Sequence, residues 1–319
     1  MKTPHYRQPE ESPGLRLCLC SISKCKELLL SLPKEKGWRT PFLYQFQGFW
    51  CQPKEIQSII SFQKHFKSRK SDVILATIPK SGTTWLKALV FAIINRRRFP
   101  PATTSDTSRN HPLLTSNPHD LVPFLEYKLY GNNQVPGLSN FPDDDQEPRT
   151  FATHVPYPSL EESIKKSENV KIVYLCRNPF DTSISSWHFI KKLRPESLPQ
   201  FSLEEAFKMY CNGIVGFGPF WEHMLGYWNE SLKRPDVEER EGVVIQEIAK
   251  LCSFDKLKEL EVNKYGKAMT FSKHFENKHL FRKGEVGDWV NYLNPSMVKQ
   301  LAQLMEEKIM GSGLLFKLL

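Results

Sequence analysis

Apolar residues along this chain fall into short unbroken runs separated by longer stretches with helical spacing. Val73 to Ile78 (Val-Ile-Leu-Ala-Thr-Ile) is such a run. It is too short for a helix and lacks polar alternation, so it predicts a strand buried on both faces, as in a parallel sheet. Lys171 to Cys176 has the same pattern, and Thr150 to Thr153 predicts another strand, ending at His154.

The spaced patterns predict helices. After Pro53, residues Ile56, Ile59, Ile60 and Phe66 fall near one face, and Trp85 to Ile94 is helical and apolar. Ser159-Leu-Glu-Glu has the form of a capping box for a helix running to about Ser167. Further helices are expected over Thr182 to Lys192, Leu203 to Asn212 (Ser202 and Glu205 as a second capping box) and Phe220 to Leu232. In the last of these Trp221, Leu225, Trp228 and Leu232 line up as core. Asn294-Pro295 opens a final helix with Val298, Leu301, Met305 and Ile309 on one face and Gly311 closing it. Strands alternating with helices give an α/β fold, a parallel central sheet flanked by helices. Between Arg96 and Arg149 the chain is rich in Pro, Ser, Thr, Asn and Asp, and reads as irregular structure around a short helix near Asp120 to Tyr130. Loops of that length in compact domains are functional lids or disordered. Asp143-Asp144-Asp145 within it reads as a solvated loop rather than a metal site.

Composition narrows the class. With 21 Phe, 10 Tyr and 7 Trp in 319 residues the chain can build a core, which excludes a disordered polyelectrolyte. The length suits one or two domains, and the pattern predicts a mobile tail over 1–37 followed by a single domain over 38–319. No apolar run approaches the ~18 residues that span a bilayer; Trp85 to Ile94, the densest, is interrupted by Lys87. The polar start lacks a secretory signal, so the cytoplasm is expected. Cys18, Cys20 and Cys25 are read as spare tail thiols, since no His/Cys cluster at zinc spacing follows. Cys51, Cys176, Cys211 and Cys252 are read as buried and reduced. The charge of +9 points to an anionic partner: nucleic acid, a membrane surface or a polyanionic small molecule.

The candidate chemistry starts where the first buried strand ends. Pro79-Lys80-Ser81-Gly82-Thr83-Thr84-Trp85 is a tight turn that runs directly into a helix. Backbone N–H groups at such a helix start converge on an anion. Lys80 adds a mobile charge, and Ser81, Thr83 and Thr84 add hydroxyls. The lysine precedes the glycine, unlike the nucleoside-triphosphate loop, where Gly-Lys-Ser/Thr ends the turn. Arg177-Asn-Pro-Phe-Asp follows the Lys171 strand, with Ser185 eight positions on. In a parallel sheet this strand end reaches the same ligand-binding carboxyl edge, where an arginine can fork onto phosphate. Arg177 alone could equally be a surface partner of Asp181. A third basic stretch, Phe281-Arg282-Lys283-Gly284-Glu-Val-Gly-Asp-Trp, could cover a phosphate, with Gly284 admitting the backbone. Three such sites imply a ligand with phosphates at both ends.

Pro79 to Lys87, Tyr174 to Asp181 with Ser185, and Arg282 to Trp289 resemble the three donor-binding motifs of the soluble sulfotransferases. His111-Pro-Leu-Leu, Asn117-Pro-His and Phe217-Gly-Pro-Phe-Trp resemble their plant branch, of the flavonol and desulfoglucosinolate type. The resemblance runs from about residue 30 to the C-terminus. It implies the sulfotransferase fold, related to P-loop nucleotide binders, and transfer of a sulfuryl group from 3′-phosphoadenosine 5′-phosphosulfate to a hydroxyl or amine of a small molecule. By position, Lys80 would touch the bridging oxygen and stabilise the departing phosphate. The backbone from Ser81 through Gly82 to Trp85, with Thr83 and Thr84, would cradle the 5′-phosphate, and the Trp85 ring would hold the adenine. Arg177, Ser185, Arg282, Lys283 and Gly284 would bind the 3′-phosphate, and His154 would take the acceptor proton. An imidazole of ordinary pKa, about 6.5, can do this near neutrality. No metal, nucleic acid or membrane enters this scheme, and the partner is the small-molecule acceptor; oligomeric state is not legible.

The chain departs from the family after Asp236. A strand–helix segment with an adenine-contacting Tyr is expected there, and Asp236 instead runs directly into Val237-Glu-Glu-Arg-Glu-Gly. Roughly thirty residues are absent, the scale of one βαβ-type unit. Such a loss would expose an apolar sheet edge and remove part of the adenine pocket. Two readings follow: an active sulfotransferase of a small plant metabolite, or a truncated, catalytically impaired relative that at most binds the nucleotide.

Overall fold

The computed structural model describes residues 25–100, 111–131, 148–233, 244–270 and 273–314. The chain divides into two compact units, 1–33 and Lys34–Leu319. In the first, residues 25–31 are helical, and Cys18 and Cys20 lie outside the described residues. The expected tail over 1–37 therefore contains regular backbone. Its last residues form an edge strand of three exposed charged side chains, Lys34-Glu35-Lys36, a composition that protects sheet edges.

The larger unit carries eight strands among the described residues: β1 (Lys34–Lys36), β2 (Phe42–Phe46), β3 (Phe49–Cys51), β4 (Val73–Thr77), β5 (Thr150–Thr153), β6 (Lys171–Leu175), β7 (Lys267–Thr270) and β8 (Lys273–Glu276). They form an antiparallel β1-β2-β3 sheet, a parallel sheet in the order β5-β4-β6, and a β7-β8 hairpin. The parallel sheet is the centre of the α/β arrangement. β4 lies in its middle, and Ile74, Leu75, Ala76 and Thr77 are fully buried, as an uninterrupted apolar run requires.

β6 differs from expectation. It pairs with β4 on one side, with no second strand beside it among the described residues, so it is an edge strand, and none of its residues is buried, unlike a strand covered on both faces. Its apolar residues are only partly covered, and Val173 is 36% exposed.

Helices follow the strands. Thr83–Ile94 comes after β4 and Pro179–Leu193 after β6, with Leu203–Cys211, Phe220–Lys233 and Pro295–Ile309 packed in a common core with the second of these. Ser202 and Asn294 cap as expected, accepting the Glu205 and Met297 N–H groups. The cap before Glu162–Lys166 is Glu161 and not Ser159, since its carboxylate takes the Ser163 N–H at 2.7 Å. Ile60 and Leu232 turn outward from their expected apolar faces. In the 96–149 stretch the described parts are short: Pro118–Leu121 and a π-turn over Leu125–Leu129. Asp143 to Asp145 lie outside the described residues. Helix Val244–Leu251 lies in the chain that follows Asp236.

The register of the parallel sheet is clamped at its amino edge. Asp72 and Arg149 immediately precede β4 and β5. The Arg149 guanidinium forks onto both Asp72 carboxylate oxygens at 2.7 and 2.6 Å, with both side chains buried. The Val73 N–H donates to the Arg149 carbonyl and the Lys171 N–H to the Asp72 carbonyl, which ties in β6. The three strands therefore end level, at Thr77, Thr153 and Leu175. Removing one member of a buried pair strands the other charge, at about 3–5 kcal/mol. Arg149→Ala is expected to lower the urea unfolding free energy by about 3 kcal/mol or more; a variant within 1 kcal/mol of wild type would contradict the clamp.

Candidate active site

The level strand ends face a cavity of about 450 Å³. Its wall carries Lys80, Gly82, Thr83, Thr84 and Trp85 from the turn after β4, His154 from the end of β5, Arg177 and Ser185 from beyond β6, and Arg282, Lys283 and Gly284 from the third basic stretch. These stretches meet at the carboxyl edge, where open α/β sheets hold ligands. Of the residues singled out in sequence, Ser81 alone is off this wall: it is buried, and its hydroxyl has no hydrogen-bond partner.

The turn after β4 depends on its backbone. Lys80 and Gly82 both have positive φ, 71° and 108°. Glycine adopts this without penalty; a lysine there costs about 1–2 kcal/mol. Of the three non-glycine residues with positive φ among those described, Lys80 and Phe217 both line the cavity, so the strain is concentrated at the site. The first bond of the following helix runs from the Leu86 N–H to the Gly82 carbonyl, so the amides before it are those a helix start presents to an anion. Burial, then the charges of Arg282, Lys192 and Arg177, push the Lys80 ammonium down to about 7. Its Nζ lies 4.1 Å from the centre of the Phe189 ring.

Asp181 and Asp288 organise the basic residues. Asp181 is fully buried. It accepts the Gly287 N–H at 2.8 Å and the Trp289 N–H at 3.3 Å, and pairs with Arg177 at 3.5 Å. Arg177 is therefore no isolated surface residue, since its partner carboxylate docks the third stretch against the second. Arg282 and Lys283 both pair with Asp288, whose carboxyl is held at about 2 against the penalty of burial by these donors and Asn291. Two cations on one carboxylate leave a surplus positive charge. Gly284 has φ 75°, and a Cβ there would stand 2.6 Å from the Phe254 ring, so no larger residue fits.

His154 has a defined tautomer. Its Nδ1 is 2.6 Å from the Thr77 carbonyl, which can only accept, so Nδ1 carries the proton and Nε2 is the ring's acceptor. The Glu126 carboxylate accepts the His154 backbone N–H at 2.7 Å and the Thr153 hydroxyl at 3.0 Å. Burial drives the imidazole down to about 3, opposed by the Thr77 bond and reinforced by the charges of Lys87, His223 and Lys80. That is well below the ordinary value expected from sequence. Behind it, His223 Nε2–H donates to the His154 carbonyl at 2.9 Å, while Tyr174 donates to His223 Nδ1 at 3.0 Å. Burial lowers His223 to about 4.

Further cavity residues come from stretches that the sequence marks without giving these side chains individual roles. Phe124, Tyr127 and Phe217 face His154, with ring centres at 4.7, 6.1 and 5.6 Å, and Tyr127 donates to the buried Glu55 at 2.8 Å. His119 also lines the wall. Its signal in the sequence is the Asn117-Pro118 cap that precedes it, part of the plant-branch motif.

The sulfotransferase domain family matches residues 70–238 and 236–313. The chain belongs to the sulfotransferase family, enzymes that take a sulfuryl group from 3′-phosphoadenosine 5′-phosphosulfate. Cytosolic sulfotransferase 15 of Arabidopsis thaliana is 56% identical over 348 residues, covering 99% of this chain and 92% of the relative. A solved sulphotransferase of Arabidopsis thaliana superposes with a TM-score of 0.67 at 38% identity, covering 99% of this chain and all of that one. Mouse sulfotransferase SULT7A1, solved with PAP, shares the fold at a TM-score of 0.59 and 22% identity, over 85% of this chain and 96% of that one. Among the described residues no helix is long and apolar enough to cross a membrane.

His154 and His223 both titrate below the ordinary 6.5 in the folded state. The stability they contribute is therefore complete above pH 6.5 and is lost as pH falls toward about 4 and then about 3. A His223→Gln variant is expected to show a flatter fall in thermal midpoint between pH 6.5 and 4.5 than wild type. Parallel curves would remove His223 from this role.

Proposed function

We propose that this sulfotransferase moves a sulfuryl group from 3′-phosphoadenosine 5′-phosphosulfate to a hydroxyl of a small plant metabolite in the cytoplasm, with flavonoids, desulfoglucosinolates and hydroxylated hormones as the acceptor classes. The observation that carries this reading is the convergence of three basic stretches on the cavity that holds the His154 acceptor nitrogen. Relatives described as cytosolic, and a fold neighbour solved with PAP, support the compartment and the donor.

In this scheme the 5′-phosphate sits on the helix start after Gly82 and the 3′-phosphate between Arg177, Ser185 and the Arg282–Gly284 stretch. His154 Nε2 takes the acceptor's hydroxyl proton. The acceptor oxygen bonds to sulfur as the bond from sulfur to the bridging oxygen breaks, and that electron pair stays on the departing phosphate. The Lys80 ammonium meets the charge that develops there. The anionic donor opposes the burial that depresses Lys80 and His154, so both become more basic once it is bound. The acceptor would lie against Phe124, Tyr127 and Phe217.

A second reading, an impaired relative that binds nucleotide without turnover, is favoured by a specific pair of observations. The family matches in two segments that meet at 236–238, and the alignment with cytosolic sulfotransferase 15 runs over 348 residues where this chain has 319. Both support the loss of a segment after Asp236, and the uncovered edge of β6 is where a lost strand would pair. Transfer of labelled sulfuryl from the donor to an acceptor panel separates the two. Product with any acceptor class supports the enzyme; donor binding with no product in every class supports the impaired relative.

Lys80→Ala is expected to cut kcat by about 100-fold or more while changing PAP affinity far less, whereas Arg282→Ala is expected chiefly to weaken PAP binding. Equal effects of both variants on binding would remove Lys80 from the departing phosphate. His154→Ala is expected to lower turnover by about 100-fold or more, and an unchanged rate at neutral pH would exclude it as the base.

A further inference from the structure

A second imidazole stands on the cavity wall, and the scheme above leaves it without a part. His119 lies in Pro118–Leu121, whose cap Asn117 accepts the His119 N–H at 2.9 Å and donates to Asn263 Oδ1 at 2.8 Å. Both asparagines are fully buried. The ring stacks on Phe124, with centres 5.3 Å apart and planes at 18°. Its place is therefore set by packing and by buried hydrogen bonds.

The two ring nitrogens have different partners. Nδ1 lies 3.0 Å from Lys87 Nζ, and Nε2 lies 3.0 Å from Thr84 Oγ1. Lys87 is completely buried in an otherwise apolar helix turn, with its Nζ 3.2 Å from the centre of the Phe124 ring. In the arrangement inferred below Lys87 Nζ donates to Nδ1, as it must whenever it is charged. Burial, with Lys87, His154 and Lys80 nearby, holds the His119 pKa well below its ordinary value, so the ring is neutral and carries one proton. That proton is on Nε2 and is donated to Thr84 Oγ1. The hydroxyl's own hydrogen then points away from His119, on a residue that lines the cavity.

We infer that His119, fixed by Lys87, is a positioning residue that presents the Thr84 hydroxyl as a hydrogen-bond donor to the 5′-phosphate end of the nucleotide. The inference rests on the donor site proposed above. It also explains a lysine at zero exposure: without Lys87 the imidazole could take its other tautomer, and Thr84 would turn its hydrogen inward to Nε2.

The test is PAP affinity of the full chain by titration calorimetry, which needs no turnover. His119→Phe keeps the ring and removes both nitrogens, and is expected to weaken PAP by about 5–10-fold. His119→Gln retains an amide N–H near the Nε2 position and is expected to stay within about twofold of wild type. In a Thr84→Ala background, His119→Phe is expected to change affinity by less than about twofold, because the route through the hydroxyl is gone. Lys87→Met keeps the buried stem and removes the donor, so it serves if His119→Phe fails to fold, with the same dependence on Thr84. The inference is overturned if the phenylalanine variant binds like wild type, if phenylalanine and glutamine lose equally, or if the loss persists without the Thr84 hydroxyl. A wild-type chain that binds PAP but transfers nothing sinks only the transfer reading; one that fails to bind PAP sinks both.

Discussion

One buried carboxylate holds the cavity together. Asp181 sits in the first turn of the helix after β6 and accepts two backbone N–H groups from residues more than a hundred positions away, Gly287 and Trp289. A fully buried carboxylate must be satisfied, because an unpaired one is far too costly. Its acceptors are filled by the loop that follows Arg282 and Lys283, and by Arg177. The desolvation of one side chain thereby forces the second and third basic stretches to adjoin. Parallel register does the same for the first and second: the Asp72–Arg149 clamp levels the strands at one edge, and their other ends emerge side by side.

The electrostatics follow from that geometry. Lys80, Arg177, Arg282 and Lys283 are brought into one region, where cations repel and burial penalises Lys80 and Arg177. The ion pairs to Asp181 and Asp288 hold them without neutralising the group. The remaining stress is visible in Lys80, pushed to about 7, and in the lowered pKa of Arg177. A cavity in this condition gains by accepting negative charge, and a ligand with anionic groups at separated points relieves repulsion at each. The apolar side of the same cavity, with its aromatic rings around His154, asks for no charge. The two halves suit an anionic donor and a less polar acceptor.

Much of this was legible in the sequence, for physical reasons that differ by element. β4 is buried on both faces, so its apolar run was unambiguous, and the turn after it was marked by Gly82 and a cluster of hydroxyl residues. β6 has an equally apolar run, but composition reports what a strand prefers and not which neighbours it has; its open side depends on chain that would have to come from elsewhere. The Glu161 cap was hidden by a Ser159 that satisfied the pattern two residues too early. His154 was found by its position in the family resemblance, but its depressed basicity was not, because that depends on Phe124, Phe217 and two lysines remote in sequence. Lys87 had been noticed only as a break in an apolar segment. A lone cation inside such a segment is a signal in its own right, since a helix does not bury one without a partner, and the partner here is His119.

Among the described residues no strand covers the outer side of β6, and this shows how far the site is independent of the sheet's extent. An open strand edge is an aggregation liability. Yet the register of β6 is set from its other side, by five residue pairs with β4 and by the Asp72 carbonyl. The position of Arg177 follows from that register and from the cap that Asn178 provides to the next helix by accepting the Phe180 N–H. None of these contacts involves a strand beyond β6. The placement of the basic residues and the strand order on the far side are therefore separable in this fold. A change beyond β6 acts on stability, and it leaves the geometry of the basic residues to the clamp at the amino edge.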